Sequence, residues 1–425
     1  MTEKTKTYLK ATLFTLVIVA MIGLSFGAGF WVSRITIQPE LNDINYILDM
    51  YRKYYYDEKS DVVGIFADSL LDRYSDYYTK EEYDLIKKVD AGHREGVGIT
   101  YSGTAIDSIN GNSPAQRAGV KAGGTIKAFS YNGEISYVAS DDEVTEAIDA
   151  IPAYVDFDMH IEYDGAETVY TVQKQDYKQT FVRYWDKTGK YGFMTVDNNI
   201  SLTRLDDSDL TGDTAYVKID AFNGTESGTN GCVGQFEKVM QVFKERGGKN
   251  IIIDLRGNGG GYLYIYYNTC RHFLGVMDGS RPVVNVIRDK YGKESKFVSD
   301  AVKYGEYGFE NIIVLANIQT ASASEAFIGA LLDYDADNKV KVILEGYNYG
   351  GYTFYRTYGK GIMQTTYERL GGGAIKLTTA KLFWPVSGVC IHDVGITTEL
   401  NSIFGDRIIE ASEKGAYEDA LALCK

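Results

Sequence analysis

The sequence predicts a multidomain α/β protein behind an N-terminal transmembrane helix, on three observations. The 425-residue chain exceeds what one hydrophobic core usually organises. It opens on a long uncharged apolar run. Further on, the hydrophobic pattern changes from two-residue alternation to strands interleaved with helical stripes, which separates a β-rich part from an α/β part. A composition of 44% hydrophobic and 24% charged residues fits a folded chain.

Lys4, Lys6 and Lys10 precede the run Ala11–Val32, which Arg34 closes. As a helix its 22 residues rise about 33 Å, enough for a bilayer core. The flanking lysines put the amino end in the cytoplasm and the remaining chain outside. Residues 1–34 therefore read as a cytoplasmic tail and a single-pass cell-membrane anchor. The small residues Ser25, Gly27 and Gly29 leave a cleaved signal peptide as the alternative, whereas Trp31 and Arg34 favour retention.

A helical region follows over 41–90. Leu41, Ile44, Leu48, Tyr51 and Tyr55 recur at spacings of three and four, as do Val62, Ile65, Phe66 and Leu70. Thr79 stands three residues before Glu82, which predicts a capping box at the start of another helix. Residues 93–175 then alternate. Phe157, Met159, Ile161 and Tyr163, an Asp164-Gly165 turn and Val169–Val172 predict a hairpin. This segment opens with Gly96-Val97-Gly98-Ile99. A glycine loop beside an uncovered strand can hold a peptide's terminal carboxylate and add that peptide to the sheet; a plain turn is the simpler explanation.

Over 191–400, strands at Tyr191–Val196, Thr214–Ile219, Asn250–Asp254 and Asn311–Ala316 alternate with helical stripes such as Val233, Phe236, Val239, Met240 and Phe243. Residues 401–425 read as a helical tail. Three segments here have chemical potential. Asp254-Leu255-Arg256-Gly257-Asn258-Gly259-Gly260-Gly261 follows a buried strand and can offer backbone N–H groups to an anion, or simply turn. Tyr262 stands where a phosphate loop needs lysine, so nucleotide binding is poorly supported. Thr320-Ala321-Ser322-Ala323-Ser324-Glu325 can expose a serine hydroxyl or merely cap a helix. Gly359-Lys360-Gly361 can hold a functional amine or a solvated loop lysine.

Charge narrows the partners. A net charge of −14, from 44 Lys and Arg against 58 Asp and Glu, repels a phosphate backbone, so no nucleic-acid partner is expected. Cys232, Cys270, Cys390 and Cys424 form no C-x-x-C pair and read mostly as free thiols, with one disulfide left open. His93, His160, His272 and His392 are scattered, so no metal site is expected and no other cofactor is implied. The 35 tyrosines suit solvent-facing grooves as well as cores.

Together the strings resemble those of the C-terminal processing peptidases, or tail-specific proteases. SPAQRAGVKAG is similar to their PDZ segment, IIDLRGNGGG to their glycine loop, and TASASEAFIGALLDY to their nucleophile segment. YGKGIMQTT is similar to their lysine segment, and AIKLTTAKLFWPVSG to their last characteristic stretch. The match runs from about Tyr51 to Leu400. Behind the transmembrane helix and the helical segment, the resemblance implies a PDZ-like β-rich domain over 93–175 with Gly96, Val97, Gly98 and Ile99 at its peptide site, and an α/β serine peptidase core over 191–400. It implies Ser322 as nucleophile and Lys360 as general base. Gln364, four positions on and helical in the family, would orient the amine, and the N–H groups of Gly260 and Ala323 would form the oxyanion hole. Substrates would be unstructured proteins or peptides taken by their C-terminal tails outside the cytoplasm.

Three departures stand out. Ser322 and Lys360 lie 38 positions apart, more than is usual, the excess falling in GYNYGGYTFYRTYGKG, which is either a rim on the cleft or a displaced lysine loop. Gly123-Gly124 replaces the family's glycine-aspartate, and Thr398 stands where proline is usual. Two other readings compete: an inactive relative that binds peptides as a scaffold, and a glycan-binding surface protein.

Overall fold

The computed structural model describes residues 39–54, 61–196, 199–206, 210–224, 231–274, 281–299 and 304–425. The apolar run 11–32 lies outside them, and among the described residues no helix is long and apolar enough to cross a membrane. The chain divides into two units, Met1–Leu70 and Leu71–Lys425. The first holds the helices Pro39–Tyr54 and Val62–Leu70 where the three–four spacing predicted them.

In the second unit the helix Lys80–Asp90 starts at the expected capping box: Thr79 accepts from the Glu82 N–H, and Glu82 accepts from the Thr79 N–H. Next comes a six-stranded antiparallel sheet. Its order is Ile99–Ser102, Ala105–Ile109, Thr125–Tyr131, Asp156–Tyr163 and Ala166–Gln173, with Glu134–Tyr137 paired to Thr125–Tyr131. Phe157, Met159 and Ile161 alternate into its core against Val144 of the helix Asp141–Ala150. Asp164 and Gly165 both have positive φ, at 50° and 80°, as a two-residue hairpin turn demands. The second glycine of Gly123-Gly124 has a packing reason: a Cβ on Gly124 would come within 2.5 Å of Ile161 and Tyr163.

The larger sheet has eight strands in the order Asn199–Asp206, Gly189–Val196, Val182–Asp186, Thr214–Ile219, Asn250–Asp254, Asn311–Ala316, Val340–Leu344 and Ile408–Glu410. The last five run parallel, and the first three add antiparallel pairs. Central parallel strands are covered on both faces, which explains their unbroken apolar runs. Ile251, Ile253, Ile312 and Val314 point into the main core beneath the helices Cys232–Glu245, Leu263–Cys270 and Ala323–Tyr334. Ile252, Ile313 and Leu315 point the other way, against Ala416 and Ala420. The segment 401–425 is thus more than a helical tail: it adds the edge strand Ile408–Glu410 and covers a sheet face with the helix Ala416–Leu423.

A third large sheet is built on the long strand Ala374–Phe383, which pairs with Asp76–Tyr78, Val283–Asp289 and Ile362–Glu368. It docks on the helix Ala323–Tyr334 through Trp384, 2% exposed. A Cβ on Gly329 would come within 2.1 Å of the indole ring, so only glycine lets helix and tryptophan meet at this distance. We predict that Gly329→Ala lowers unfolding stability by about 1–3 kcal/mol through overpacking. A urea midpoint equal to the parent's would show that the ring is free to move aside.

Candidate active site

The glycine loop and the serine turn meet because they leave neighbouring parallel strands at the same end, where open sheets place ligand sites. Asp254 pairs in register with Leu315. A charged knot fixes the loop's root. The buried Asp254 carboxylate accepts from the Arg256 N–H at 2.8 Å, from its guanidinium at 2.8 and 3.0 Å, and from the Tyr216 hydroxyl, with Lys218 Nζ 3.5 Å away. Burial raises the Asp254 pKa, but Lys218, Arg256 and Tyr216 more than offset this and hold it well below the usual carboxylate range. The motif DLRG is therefore a structural clamp, from which Gly257–Gly261 project.

Gly260, at φ 108°, packs directly on the serine turn. A Cβ there would lie 2.8 Å from Ser322 Cβ and 3.0 Å from the Ala323 nitrogen. Its own N–H donates to Asn258 Oδ1 at 2.9 Å, so in this arrangement it is already engaged. The Ala323 N–H, at the first position of its helix, has no acceptor within that helix. Ser322 sits at φ 58° and ψ −116°. Such a conformation costs a non-glycine residue about 1–3 kcal/mol and persists only where surroundings over-determine it. Ser324 is buried and donates to Asn258 O, which leaves it a local structural role.

The buried Glu325 carboxylate over-determines the turn. Its Oε2 accepts from the N–H of Ser322 and the N–H of Lys360, each at 2.9 Å. Its Oε1 accepts from the Gly359 N–H at 2.8 Å and the Thr357 hydroxyl at 2.5 Å. Tyr358 N–H adds a bond to Thr320 O at 3.0 Å. The two segments thus converge on one carboxylate, with the backbone nitrogens of Ser322 and Lys360 bonded to the same oxygen. Burial raises the Glu325 pKa, but every partner donates, so the ionised form is the one the site fits. The long interval has not carried the lysine away: part of it folds into a hairpin of Tyr347–Tyr349 and Tyr352–Phe354, and Tyr347 lines the rim of the cleft.

That cleft, of about 600 Å³, is lined by Tyr74, Gly259, Ile318, Gln319, Ala321, Tyr347, Tyr358 and Lys360. Lys360 Nζ lies 5.3 Å from the centroid of the Tyr74 ring, and no hydrogen bond joins it to Ser322 Oγ. Burial, and then repulsion from Lys376, lowers the Lys360 pKa; Asp76 and Glu325 pull the other way. Gln364 lies on the strand Ile362–Glu368, beside a bulge between Met363 and Gln364, and not on a helix. Thr365, Thr366 and Tyr367 suit a strand, and the pairing with Ala374–Phe383 decides it. Its amide nitrogen is buried without a partner, and no hydrogen bond joins its side chain to Lys360. Sequence reasoning saw Glu325 only within a segment able to cap a helix and assigned no role to Tyr74, which fell in the helical region 41–90.

Of the four residues singled out in the sequence, Gly96 ends the strand His93–Gly96, which pairs with Gln175–Lys178, Val97 and Gly98 link it onward, and Ile99 begins a strand of the small sheet; none of them lines this cleft. Gly96 and Gly98 have φ of 117° and 81°, and a Cβ on Gly98 would come within 2.2 Å of Ser113. Val97 is buried, and its carbonyl accepts from the Ala115 N–H at 2.9 Å. Ile99 begins an edge strand with no partner strand on its outer side among the described residues. Tyr101 of that strand hydrogen-bonds Thr145 of the helix Asp141–Ala150 at 2.8 Å.

Residues 213–402, which include the glycine loop, Ser322, Glu325 and Lys360, match the model of peptidase family S41. The chain carries a peptidase family S41 domain. The resemblance drawn from the sequence is borne out at that level. A relative from Staphylococcus aureus (strain bovine RF122 / ET3-1), named "Probable CtpA-like serine protease", is 28% identical over 375 residues, 86% of this chain. This chain spans 65% of that relative's length. A relative of the same name from Staphylococcus saprophyticus is 26% identical over 400 residues, covering 91% of this chain and 71% of the relative. Among solved structures, an S41-family protein of Bacteroides fragilis NCTC 9343 superposes with a TM-score of 0.53 at 15% identity, over 87% of this chain and 86% of the other. That last likeness concerns the fold.

Removing the S41 domain's central acceptor tests the architecture. Glu325→Ala leaves three N–H groups and a hydroxyl unsatisfied, at about 1–3 kcal/mol for each donor that water cannot reach. We expect a lower denaturation midpoint and joint loss of exchange protection at the Ser322, Gly359 and Lys360 amides. Protection lost at Ser322 alone would mean that the lysine segment is held independently.

Proposed function

We propose that the chain is a serine endopeptidase in which Ser322 attacks and Lys360 serves as general base. The carrying observation is the shared Glu325 oxygen, which holds the backbones of both residues beside an open cleft within an S41 domain. A serine hydroxyl needs a neighbouring base to become a nucleophile, and a lysine works as that base only when neutral. Free lysine titrates near 10.4; burial and Lys376 lower Lys360 from there.

In the proposed cycle Lys360 swings from the Tyr74 ring and takes the Ser322 proton as Oγ bonds to a peptide carbonyl carbon. The Ala323 N–H and the glycine loop stabilise the oxyanion; Gly260 contributes once its bond to Asn258 is shared or given up. The C–N bond breaks as the Lys360 ammonium protonates the departing amine. Water, deprotonated by Lys360, then hydrolyses the acyl-enzyme. Substrates are unstructured extracytoplasmic polypeptides, engaged by their C-terminal tails at the edge strand after Gly96-Val97-Gly98. A second reading, an inactive peptide-binding scaffold, draws on the absence of a hydrogen bond between Lys360 Nζ and Ser322 Oγ. Catalytic hydrogen bonds often form only once substrate is bound, which favours the first.

Purified protein should cleave tail peptides, and Ser322→Ala should abolish both acylation and turnover while keeping affinity. Lys360→Ala and Lys360→Arg should both fail, because arginine stays protonated. Turnover by Ser322→Ala would remove the assigned nucleophile, and an inert wild type that still binds would establish the scaffold. Amidating the peptide's carboxyl end should weaken binding; unchanged affinity would discard tail capture. Activity should rise with pH as Lys360 loses its proton. Lys376→Met removes a repelling cation and frees Asp76, both of which favour the charged amine, so the rising limb should move to higher pH. A limb that stays in place would mean another group titrates.

We also propose that the apolar run 11–32 anchors the chain, with the S41 domain on the extracytoplasmic side. Full-length protein should fractionate with membranes, and protease added to intact cells should remove everything beyond Arg34. Protection of the S41 domain in that assay would refute this topology.

A further inference from the structure

The hairpin between Ser322 and Lys360 has one aromatic face. Tyr347 pairs with Phe354 and Tyr349 with Tyr352. Residues two apart on one strand and directly opposite on its partner point to the same side, so all four rings share a face. Asn348 and Thr353 take the other, joined by a 2.7 Å hydrogen bond. Gly350 and Gly351, at φ 59° and 83°, make the tight turn that keeps the two pairs in register. The face is uncovered: Tyr347 and Phe354 near the root are 42% and 44% exposed, and Tyr349 and Tyr352 at the tip 70% and 73%.

The hairpin is not a loose appendage. Glu345 N–H donates to Ala316 O at 2.8 Å, and the Glu345 carboxylate accepts from Arg256 at 2.6 Å. Its root is thereby tied to the strand that leads to Ser322 and to the clamp under the glycine loop. Tyr347 lies in the cleft lining, so the aromatic face continues the cleft wall outward. That continuity names the occupant. A chain bound in the cleft in extended form and leaving along this wall presents alternate side chains every two residues, about 6.4–6.8 Å apart. The Tyr347 and Tyr349 rings are stacked with centroids 6.4 Å apart, which matches that repeat. Besides Lys360, the cleft lining carries no charge.

We infer that the hairpin is an extended subsite of the cleft, which selects polypeptide substrates bearing apolar or aromatic side chains two residues apart. This rests on the reading that the cleft takes polypeptide, but not on Ser322 being the nucleophile.

The experiment uses full-length Ser322→Ala protein, so that no hydrolysis intervenes, and fluorescent peptides amidated at their ends, so that carboxylate capture does not contribute. One peptide carries two Phe residues at positions i and i+2, a second carries them at i and i+1, and a third has Ser at all these positions. The i,i+2 peptide should bind tightest. Tyr349→Ser with Tyr352→Ser should weaken it about tenfold, as expected for losing two ring contacts, and leave the Ser peptide unchanged. Tyr349→Phe with Tyr352→Phe should retain the affinity, which separates ring stacking from hydroxyl contacts and guards against a folding defect. Equal affinity of parent and Ser variants for the i,i+2 peptide would overturn the inference. So would a soluble glycan oligomer that binds the parent and is lost in the same Ser variants, since the face would then serve sugar. Failure of the wild type to hydrolyse any peptide would refute the catalytic proposal and leave this binding result standing.

Discussion

One buried carboxylate organises the site. Glu325 has 0% exposure and accepts four hydrogen bonds, three of them from backbone nitrogens of two chain segments that are remote in sequence. An ionised group stripped of water is costly unless its lone pairs are satisfied. The carboxylate therefore does more than support a helix end: its own solvation requires the serine turn and the lysine segment to be present together. Because both backbones close on the same oxygen, neither can shift without leaving a donor unpaired. The positive φ of Ser322 persists within that closure and within the contact of Gly260 on its Cβ.

Around this node the fold supplies rigidity by different means on each side. The glycine loop and the serine turn ride on adjacent parallel strands that are buried on both faces, so their spacing is set by the sheet ladder. The lysine segment belongs to the sheet built on Ala374–Phe383. It enters the strand Ile362–Glu368, and Leu382 N–H donates to Gly361 O at 2.9 Å. The two sheets are held together by Trp384 against Gly329 of the very helix whose first turn carries Ser322 and Glu325. Sheet docking and site assembly thus depend on the same helix.

Much of this was legible in the sequence, and the remainder was not for physical reasons. Local signals held: the Thr79/Glu82 capping box, the alternation of Phe157, Met159 and Ile161, and the Asp164-Gly165 turn each concern residues within a few positions of one another. The apolar strands around Asp254 and Ala316 were readable because double-sided burial writes itself as continuous hydrophobicity. Glu325 was visible only as a helix-start residue, since its other donors lie more than 30 positions away. Tyr74 reaches Lys360 through tertiary folding alone, and its own segment carries no sign of a cleft. Gln364 ran counter to expectation because pairing with Ala374–Phe383 makes its segment a strand. The tail beyond Asn401 was short and weakly patterned, and its three-residue strand exists only because the edge of the sheet was open to receive it.

The same geometry explains how a long interval between Ser322 and Lys360 is compatible with a fixed site. Loop-closure entropy rises only slowly with length, so added residues cost little provided both ends are pinned. Here the outgoing end is pinned by Glu345 to Ala316 and Arg256. The returning end is pinned by Thr357, which donates to Glu325 and accepts from the Ile396 N–H at 2.7 Å. Between those pins the chain is free to build surface. It builds a Gly-Gly hairpin whose polar face closes on itself through Asn348 and Thr353 and whose aromatic face stays open at the rim of the cleft. Two jobs that meet at one cleft are thereby separated in the sequence: placement of Ser322 and Lys360 falls to Glu325 and its donors, and the shape of the wall falls to residues that none of those bonds constrain.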